Sequence, residues 1–534
     1  MRAGALRWRQ WRPQLARRLS QQAAPTLSLT PAETKLFQVL QFIKDTSAPE
    51  VTLRVAGGWV RDKLLGLPSD DIDIALDVGT GEAFAQHILA FQNASGVSPK
   101  GFYIVKKNTD ASKHLACATV KLLGHDLDFV HLRSETYADP TSRIPILSDT
   151  PATPTEDALR RDITINALFF NLSTMAIEDC TGEGLADLAA KRVRTPLPPL
   201  ETFLDDPLRV LRAIRFACHY HFSLDDALLE AAKDARVQDA LGHKVSRERI
   251  GIEVRKMLAG SDPGRAMRVL TDLALWPLLL PRLTCVPSSA HMLDSVGFVQ
   301  QHVAPTSATL ANKAQYDPTH LLASALVHCV ELPATSTLLG DALATLLTEP
   351  SEVPLTDLVN ASFEFLSQPM WRDQKLFMDA IKDDLKWSKA EAKAIADVID
   401  AAQSFVQVAA AHAHSPTAHY VQLVLWRRAH GAVFEKVLPV LWHLAHGDRP
   451  DAKEALAAFQ AAFATRRLSH IAGAMRNRLP TPHLQRLLQK KAKKLSELIE
   501  VVAVYEALYP DASIEDEELF VQSVLEPAHT ARTG

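Results

Sequence analysis

What most limits the folds open to this chain is a change of texture near Pro196. Between about residues 50 and 180, short alternating or apolar runs separate loops, at 52–56, 71–76, 119–123, 127–132 and 164–171. Their β-branched and aromatic content and short length predict strands. Beyond 196, Ala- and Leu-rich stretches with helical spacing continue toward the C-terminus, broken by Pro-rich joints near 196–199, 281–287 and 480–482. Such joints end helices. The fold class expected is α+β: an N-terminal head with strands, followed by an all-helical remainder. With 534 residues there is room for more than one core. No fixed-period repeat appears, so a solenoid is not expected.

Charge restricts the possible partners. Lys plus Arg number 58 against 62 Asp plus Glu, a net charge of −4, which excludes a generally basic nucleic-acid binder. Any nucleic-acid partner must be met by a local patch. No uninterrupted apolar run reaches the roughly 18 residues a membrane helix needs, so a water-soluble protein without a membrane partner is expected. The five cysteines, at 117, 180, 218, 285 and 329, contain no CxxC pair. That argues against a zinc ribbon, a redox dithiol and a disulfide framework. Residues 1–32 hold six arginines, no lysine and no acid, with Trp8, Trp11, Leu15 and Leu19 interspersed. The pattern reads as a mitochondrial presequence, with a basic tail as the plainer alternative.

Three constellations could carry chemistry. The first is Arg54-Val-Ala-Gly57-Gly58-Trp-Val-Arg61, followed by Asp70-Asp71-Ile-Asp73-Ile. A strand running into paired glycines and then a helix lets backbone N–H groups approach an anion, and Arg61 adds charge, so Gly57, Gly58 and Arg61 form a candidate phosphate cradle. On a strand, the period of two puts Asp71 and Asp73 on one face, where they repel unless a cation lies between them. Hard oxygen ligands suit Mg²⁺, and two such ions can clamp an in-line displacement. A third carboxylate of the same parity is available in Asp126-Leu-Asp128; Asp128 is preferred and Asp126 held in reserve. A tight turn and a solvated Asp-rich loop are the bland alternatives.

The second constellation, Arg160-Arg161-Asp162-Ile-Thr-Ile-Asn166, combines phosphate contacts with an acceptor for a ribose hydroxyl, although a surface salt-bridge cluster would look similar. The third is Asp205-Asp206-Pro207-Leu-Arg209-Val-Leu-Arg212-Ala-Ile-Arg215. Asp before Pro predicts a capped helix start. Arg209, Arg212 and Arg215 then share one side as a ladder of guanidinium groups suited to a polyphosphate and a base, with Leu208, Leu211 and Ile214 on the packed side. A solvated basic face is the alternative. From 466 to 494, nine basic residues occur without an acid, among them Arg476, Arg478, Lys490, Lys491, Lys493 and Lys494. This is a candidate RNA-binding patch.

Taken together, these stretches resemble the class II tRNA nucleotidyltransferases, the CCA-adding enzymes, in particular their eukaryotic branch. The resemblance runs from about 50 to 260 and includes Ser112-Lys-His-Leu115, Arg133-Ser-Glu135 and Ser246-Arg-Glu-Arg-Ile-Gly-Ile-Glu253. It implies a polymerase-β-like nucleotidyltransferase head at 33–195 behind the 1–32 presequence, a neck at 196–270, a helical body at 271–440 and a helical tail at 441–534. It further implies tRNA, CTP and ATP as partners, two Mg²⁺ ions as cofactors, a monomer, and a mitochondrial location with a cytoplasmic or nuclear pool.

By position, the resemblance gives Gly58 and Arg61 to the triphosphate, and Asp71 and Asp73 to the metal with Asp128 as third catalytic carboxylate. Arg161 and Asp162 fall at the ribose and phosphates, Asp206 and Arg209 at the base, with Arg212 and Arg215 assisting. Cytosine and adenine both present an amine donor beside a ring-nitrogen acceptor. A carboxylate with a guanidinium therefore selects CTP and ATP together. A poly(A) polymerase sharing the head and a catalytically dead tRNA-binding chaperone are the rival expectations.

Overall fold

A computed structural model describes residues 27–69, 71–96, 103–105, 117–132, 135–136, 146–147, 152–283, 290–302, 317–327, 336–367, 374–410, 415–447, 451–466, 469, 471, 478–487 and 495–522. The described residues up to Leu278 form one compact unit and those from Leu279 onward a second.

The first unit opens with α1 (Pro31–Ser47), started by a capping box between Thr30 and Glu33. There follow β1 (Leu53–Ala56), α2 (Gly58–Leu64), β2 (Ile72–Leu76), α3 (Gly81–Ala94), β3 (Tyr103–Val105), β4 (Cys117–Leu122) and β5 (His125–His131). A ribbon of β6 (Glu135–Thr136) and β7 (Ile146–Leu147), then α4 (Pro154–Leu159), a 3-10 turn (Thr164–Asn166), β8 (Leu168–Asn171), β9 (Ala176–Asp179), α5 (Gly184–Ala189) and β10 (Arg192–Val193) complete the head. Seven strands make one sheet in the order β3-β4-β5-β2-β1-β8-β9. β2 and β5 run parallel, and the other neighbours are antiparallel.

Alternation within β2 and β5 sets the two faces of the sheet. Ile72, Ile74, Leu76, Leu127 and Phe129 are buried in one core with Leu36, Phe37, Leu40, Phe84 and Ile88 from α1 and α3. The period of two then places the intervening Asp73 and Asp128 on the opposite face. A slip of one residue would exchange the two sets, so burial of this apolar core fixes where the acids stand.

One local expectation is corrected. The run 164–171 is not one strand: Thr164 turns its N–H to Arg194 O and its hydroxyl to Asp187, which diverts the chain into the 3-10 turn before β8. Gly81 opens α3. A Cβ on Gly81 would lie 2.5 Å from Phe129 O, so this glycine serves a close approach of helix to strand.

The neck follows as α6 (Pro199–Asp205), α7 (Leu208–His219), β11 (Ser223–Leu224), α8 (Asp226–Lys233), α9 (Ala235–Lys244), α10 (Arg247–Leu258) and α11 (Pro263–Asp272). β11 pairs in parallel with β10, a small departure from the all-helical expectation. At the start of α7, Pro207 is helical (φ −60°, ψ −20°) and Asp206 Oδ1 accepts from Leu208 N at 3.3 Å, as a capping Asp before Pro should. Leu208, Leu211 and Ile214 are buried.

The second unit is helical among the described residues: α12 (Ala290–His302), α13 (Pro318–Leu326), α14 (Ser336–Thr345), α15 (Leu355–Ser367), α16 (Gln374–Asp379), α17 (Lys389–Ala410), α18 (Pro416–Ala429), α19 (Phe434–His446), α20 (Ala452–Ala464), α21 (Thr481–Leu487), α22 (Leu495–Leu508) and α23 (Ile514–Phe520). Small side chains on α17, among them Ala401 and Ala402, are fully buried and admit neighbouring helices closely. Trp426 of α18 uses that proximity, donating Nε1–H to Ala401 O at 3.0 Å. Among the described residues no helix is long and apolar enough to cross a membrane.

Candidate active site

The parallel pairing of β2 with β5 sets Asp73 opposite Asp128. One carboxylate oxygen from each of Asp71, Asp73 and Asp128 lies within 4.8 Å of the others. Thr119 on β4 donates its hydroxyl to Asp128 Oδ1 and fixes that carboxylate. The reserve candidate Asp126 instead faces Lys121 at 3.3 Å in an exposed pair. Three close carboxylates are a hard-oxygen donor set that fits a divalent cation such as Mg²⁺.

The turn after β1 requires glycine. Gly57 has φ +68°, and a Cβ there would meet Arg161 Nη1 at 2.8 Å. A Cβ on Gly58 would lie 3.5 Å from Arg61 Nη2, so the two guanidinium groups bracket the glycine pair. Arg161 is held by Asp157 (Nε to Oδ2, 3.0 Å) and by Asn166 O (3.0 Å), and Arg160 also donates to Asp157 (Nε, 2.9 Å). Burial pushes the Asp157 carboxyl up, yet Arg161 and Arg160 outweigh it and hold it below the usual range.

Arg61 is not the open phosphate hook the sequence suggests. It is 6% exposed, grips Asp62 through Nε (2.9 Å) and Nη2 (3.0 Å), and donates to Asn166 Oδ1 through Nη1. Asp162 is likewise engaged: Oδ1 accepts from Ile163 N (2.9 Å) and Asn166 Nδ2 (3.1 Å), and Oδ2 from Arg212 Nε (2.7 Å). Burial disfavours its charge, but Arg212, Asn166 and Arg209 together hold the carboxyl far below its ordinary value.

The guanidinium ladder on α7 is present but not open. Arg209 donates to Arg160 O (2.7 Å) and Thr202 O (3.4 Å), Arg212 pairs with Asp162, and Arg215 pairs with Glu253 (2.6 Å). Asp206 receives Arg249 through Nη1 (3.2 Å) and Nη2 (2.7 Å). The physical reason is burial: like charges gathered in a low-dielectric seam need counter-charges or backbone acceptors. The carboxylates that supply them, Asp62, Asp157 and Glu253, and Arg249, which in turn neutralises Asp206, had no role assigned from the sequence. The spacing of Arg249 and Glu253, four apart on α10 with opposite sign, was the available signal.

Near the C-terminus, Arg478 Nη1 donates to Ala512 O (2.7 Å) and Nη2 to Tyr509 O (3.3 Å), and the group pairs with the buried Glu517. Arg478 nonetheless stands at the surface, so its guanidinium is both tied to these acceptors and open to solvent. Arg476, Lys490, Lys491, Lys493 and Lys494 lie outside the described residues.

Residues 53–194 match the family described as "Poly A polymerase head domain", and residues 221–285 the one described as "Probable RNA and SrmB- binding site of polymerase A". The chain is 44% identical over 259 residues to the mitochondrial CCA tRNA nucleotidyltransferase of Candida glabrata, covering 46% of this chain and 48% of that one. It is 45% identical over 258 residues to the Saccharomyces cerevisiae protein of the same name, covering 46% and 47%. The match thus spans about half the length of these relatives.

Among solved structures, the Thermotoga maritima CCA-adding enzyme complexed with tRNA aligns over 97% of this chain and 98% of its own, at TM-score 0.52 and 17% identity. The Bacillus stearothermophilus CCA-adding enzyme in complex with CTP aligns over 95% and 100%, at TM-score 0.53 and 17% identity. At such identity these two establish the fold. The similarity to curated relatives and family models is thus carried by the N-terminal half, where residues 53–194 match a poly(A) polymerase head domain and residues 221–285 the segment described with it.

Proposed function

We propose that the chain is a CCA tRNA nucleotidyltransferase, which adds and repairs the 3′-terminal CCA of tRNA from CTP and ATP without a nucleic-acid template. The observation that carries this reading is the convergence of Asp71, Asp73 and Asp128 on one face of a poly(A) polymerase head sheet. Asp71 and Asp73 would hold two Mg²⁺ ions, which would supply charge neutralisation at the reacting phosphate. The RNA 3′ oxygen bonds to the α-phosphorus, the bond from that phosphorus to the bridging oxygen breaks, and pyrophosphate leaves. Asp128, with Oδ1 held by Thr119, offers Oδ2 as acceptor for the hydroxyl proton. Gly57, Gly58, Arg61, Arg161, Asp162, Asn166, Arg212 and Arg215 surround the nucleotide and shape its site.

Asp206 and Arg209 select the base in this proposal, Asp206 accepting from the exocyclic amine and Arg209 donating to the ring nitrogen. Each must then exchange its present partner, Arg249 or a backbone carbonyl, for the base. The head, neck, body and tail division at 33–195, 196–270, 271–440 and 441–534 belongs to the same proposal, as does RNA contact by Arg476, Lys490, Lys491, Lys493 and Lys494. The Arg-rich, acid-free 1–32 segment and the mitochondrial relatives support a mitochondrial location, with a second pool wherever other tRNAs need 3′ ends. Labelled CTP and ATP, given separately and together with trimmed tRNA, test the activity. Incorporation of CTP excludes a poly(A) polymerase, any Mg²⁺-dependent turnover excludes an inert chaperone, and failure of both nucleotides refutes the reading.

A further inference from the structure

Three guanidinium groups converge on one aromatic ring at the seam between head and neck. Cζ lies over the Phe216 ring at 4.1 Å for Arg215, 5.1 Å for Arg61 and 5.5 Å for Arg212. Arg61 comes from α2, directly after the Gly57–Gly58 turn, whereas Arg212 and Arg215 share α7 with the ring. Tyr220 extends the arrangement. Its ring lies 6.2 Å from Phe216 at an interplanar angle of 9°, Arg61 Cζ is 4.6 Å from its centroid, and its hydroxyl donates to Asp62 Oδ1 at 2.8 Å.

Three like charges around one ring repel unless each is compensated. Here Asp62 of α2 pairs with Arg61, Asp162 of the bend before the 3-10 turn with Arg212, and Glu253 of α10 with Arg215. The ring contributes what an aliphatic residue cannot, a negative face toward each cation. Leucine would satisfy the apolar demand of this buried position but would leave α2 tied to the end of α7 through Tyr220, by its contact with Arg61 and its hydrogen bond to Asp62.

We propose that Phe216 is a positioning residue: its ring registers α7, and with it Asp206 and Arg209, against the glycine turn and carboxylates of the head. The proposal rests on the nucleotidyltransferase reading for its kinetic consequence, and on geometry alone for the seam itself. A template made of protein works only if the base-reading groups stand at a fixed distance from the reacting phosphate, and Phe216 is where head and neck guanidinium groups share one contact.

The test compares Phe216→Leu, Phe216→Tyr and a series of progressively fluorinated phenylalanines at 216 in the full chain, the last weakening the ring's negative face with little change of shape. Phe216→Leu should lower kcat/KM for CTP by about ten-fold. It should also reduce the preference for CTP over UTP, leave KM for tRNA within about two-fold, and raise amide hydrogen exchange across residues 58–64. Phe216→Tyr should restore all of these, and kcat/KM should fall stepwise with fluorination. Wild-type values in Phe216→Leu, equal damage in Phe216→Tyr, or no trend with fluorination would each overturn the proposal. Should Phe216→Leu not fold, the fluorinated series decides. If the wild-type chain adds no nucleotide to trimmed tRNA, the functional reading falls, and the exchange comparison still settles the role of the ring.

Discussion

Asp128→Asn should make the metal-free protein more stable while removing its activity. The three carboxylates hold oxygens within 4.8 Å of one another. At that separation two unit charges repel by about 0.9 kcal/mol in bulk water and about 3.5 kcal/mol at an effective dielectric of 20. Asp71 is exposed and Asp128 half-buried, so the water-side figure is the safer guide. Removing the charge at 128 relieves two such pairs, roughly 2 kcal/mol, and asparagine can keep the hydrogen bond from Thr119. For a domain of about 250 residues, this corresponds to a rise in Tm of about 4 °C or somewhat more. Thermal melts in EDTA and in Mg²⁺ provide the assay. Asp128→Asn should melt above wild type in EDTA, Mg²⁺ should stabilise wild type more than the variant, and Asp126→Asn should behave as wild type in both. A lower Tm for Asp128→Asn in EDTA, or equal stabilisation of both chains by Mg²⁺, would refute the reasoning.

Three other perturbations follow from particular contacts. Asp157→Ala leaves Arg160 and Arg161 without their carboxylate and should cost roughly 2 to 3 kcal/mol in a urea titration at pH 7, less than a fully buried pair because both arginines are partly exposed. The Asp157 carboxyl is held below its ordinary value, so this contribution is present above about pH 4 and lost as pH falls; a gap that persists in acid would contradict it. Arg478→Ala should lower Tm, since the group caps the carbonyls of Tyr509 and Ala512, while tRNA affinity at fixed salt stays within about three-fold. An unchanged Tm with a ten-fold loss of tRNA affinity would return Arg478 to the RNA surface.

Asp400 is pushed up to about 6 by burial and then by Asp397, so its charge opposes folding at neutral pH. Asp400→Asn should add about 1 to 2 kcal/mol above pH 6, after allowance for solvent screening, with the gain vanishing as pH falls toward 4. A loss of stability at pH 7.5 would reverse that sign.

The clustering of Asp73 with Asp128 was legible in the sequence because one rule, the strand period of two, governs both the core and the acids. Ile72 and Ile74 point one way, so Asp73 must point the other, and the same parity picks Asp128 from its strand. The capped start of α7 was legible for a similar reason, since Asp-Pro acts locally. What one position at a time could not disclose was pairing across elements. Arg61, Arg209, Arg212 and Arg215 look like free cations in a linear reading, yet their partners lie as far as 105 residues away, as for Arg61 with Asn166.

If the protein itself is the template, a trimmed tRNA gains a fixed, short sequence. Intact-mass analysis of one trimmed tRNA, incubated with the chain, Mg²⁺ and all four nucleoside triphosphates, tests this most directly. The predicted product gains two cytidylates and one adenylate and then stops, without uridylate or guanylate, and Asp73→Asn gives no mass change. A ladder of adenylates, incorporation of uridylate or guanylate, or an unaltered tRNA with the wild-type chain would contradict it.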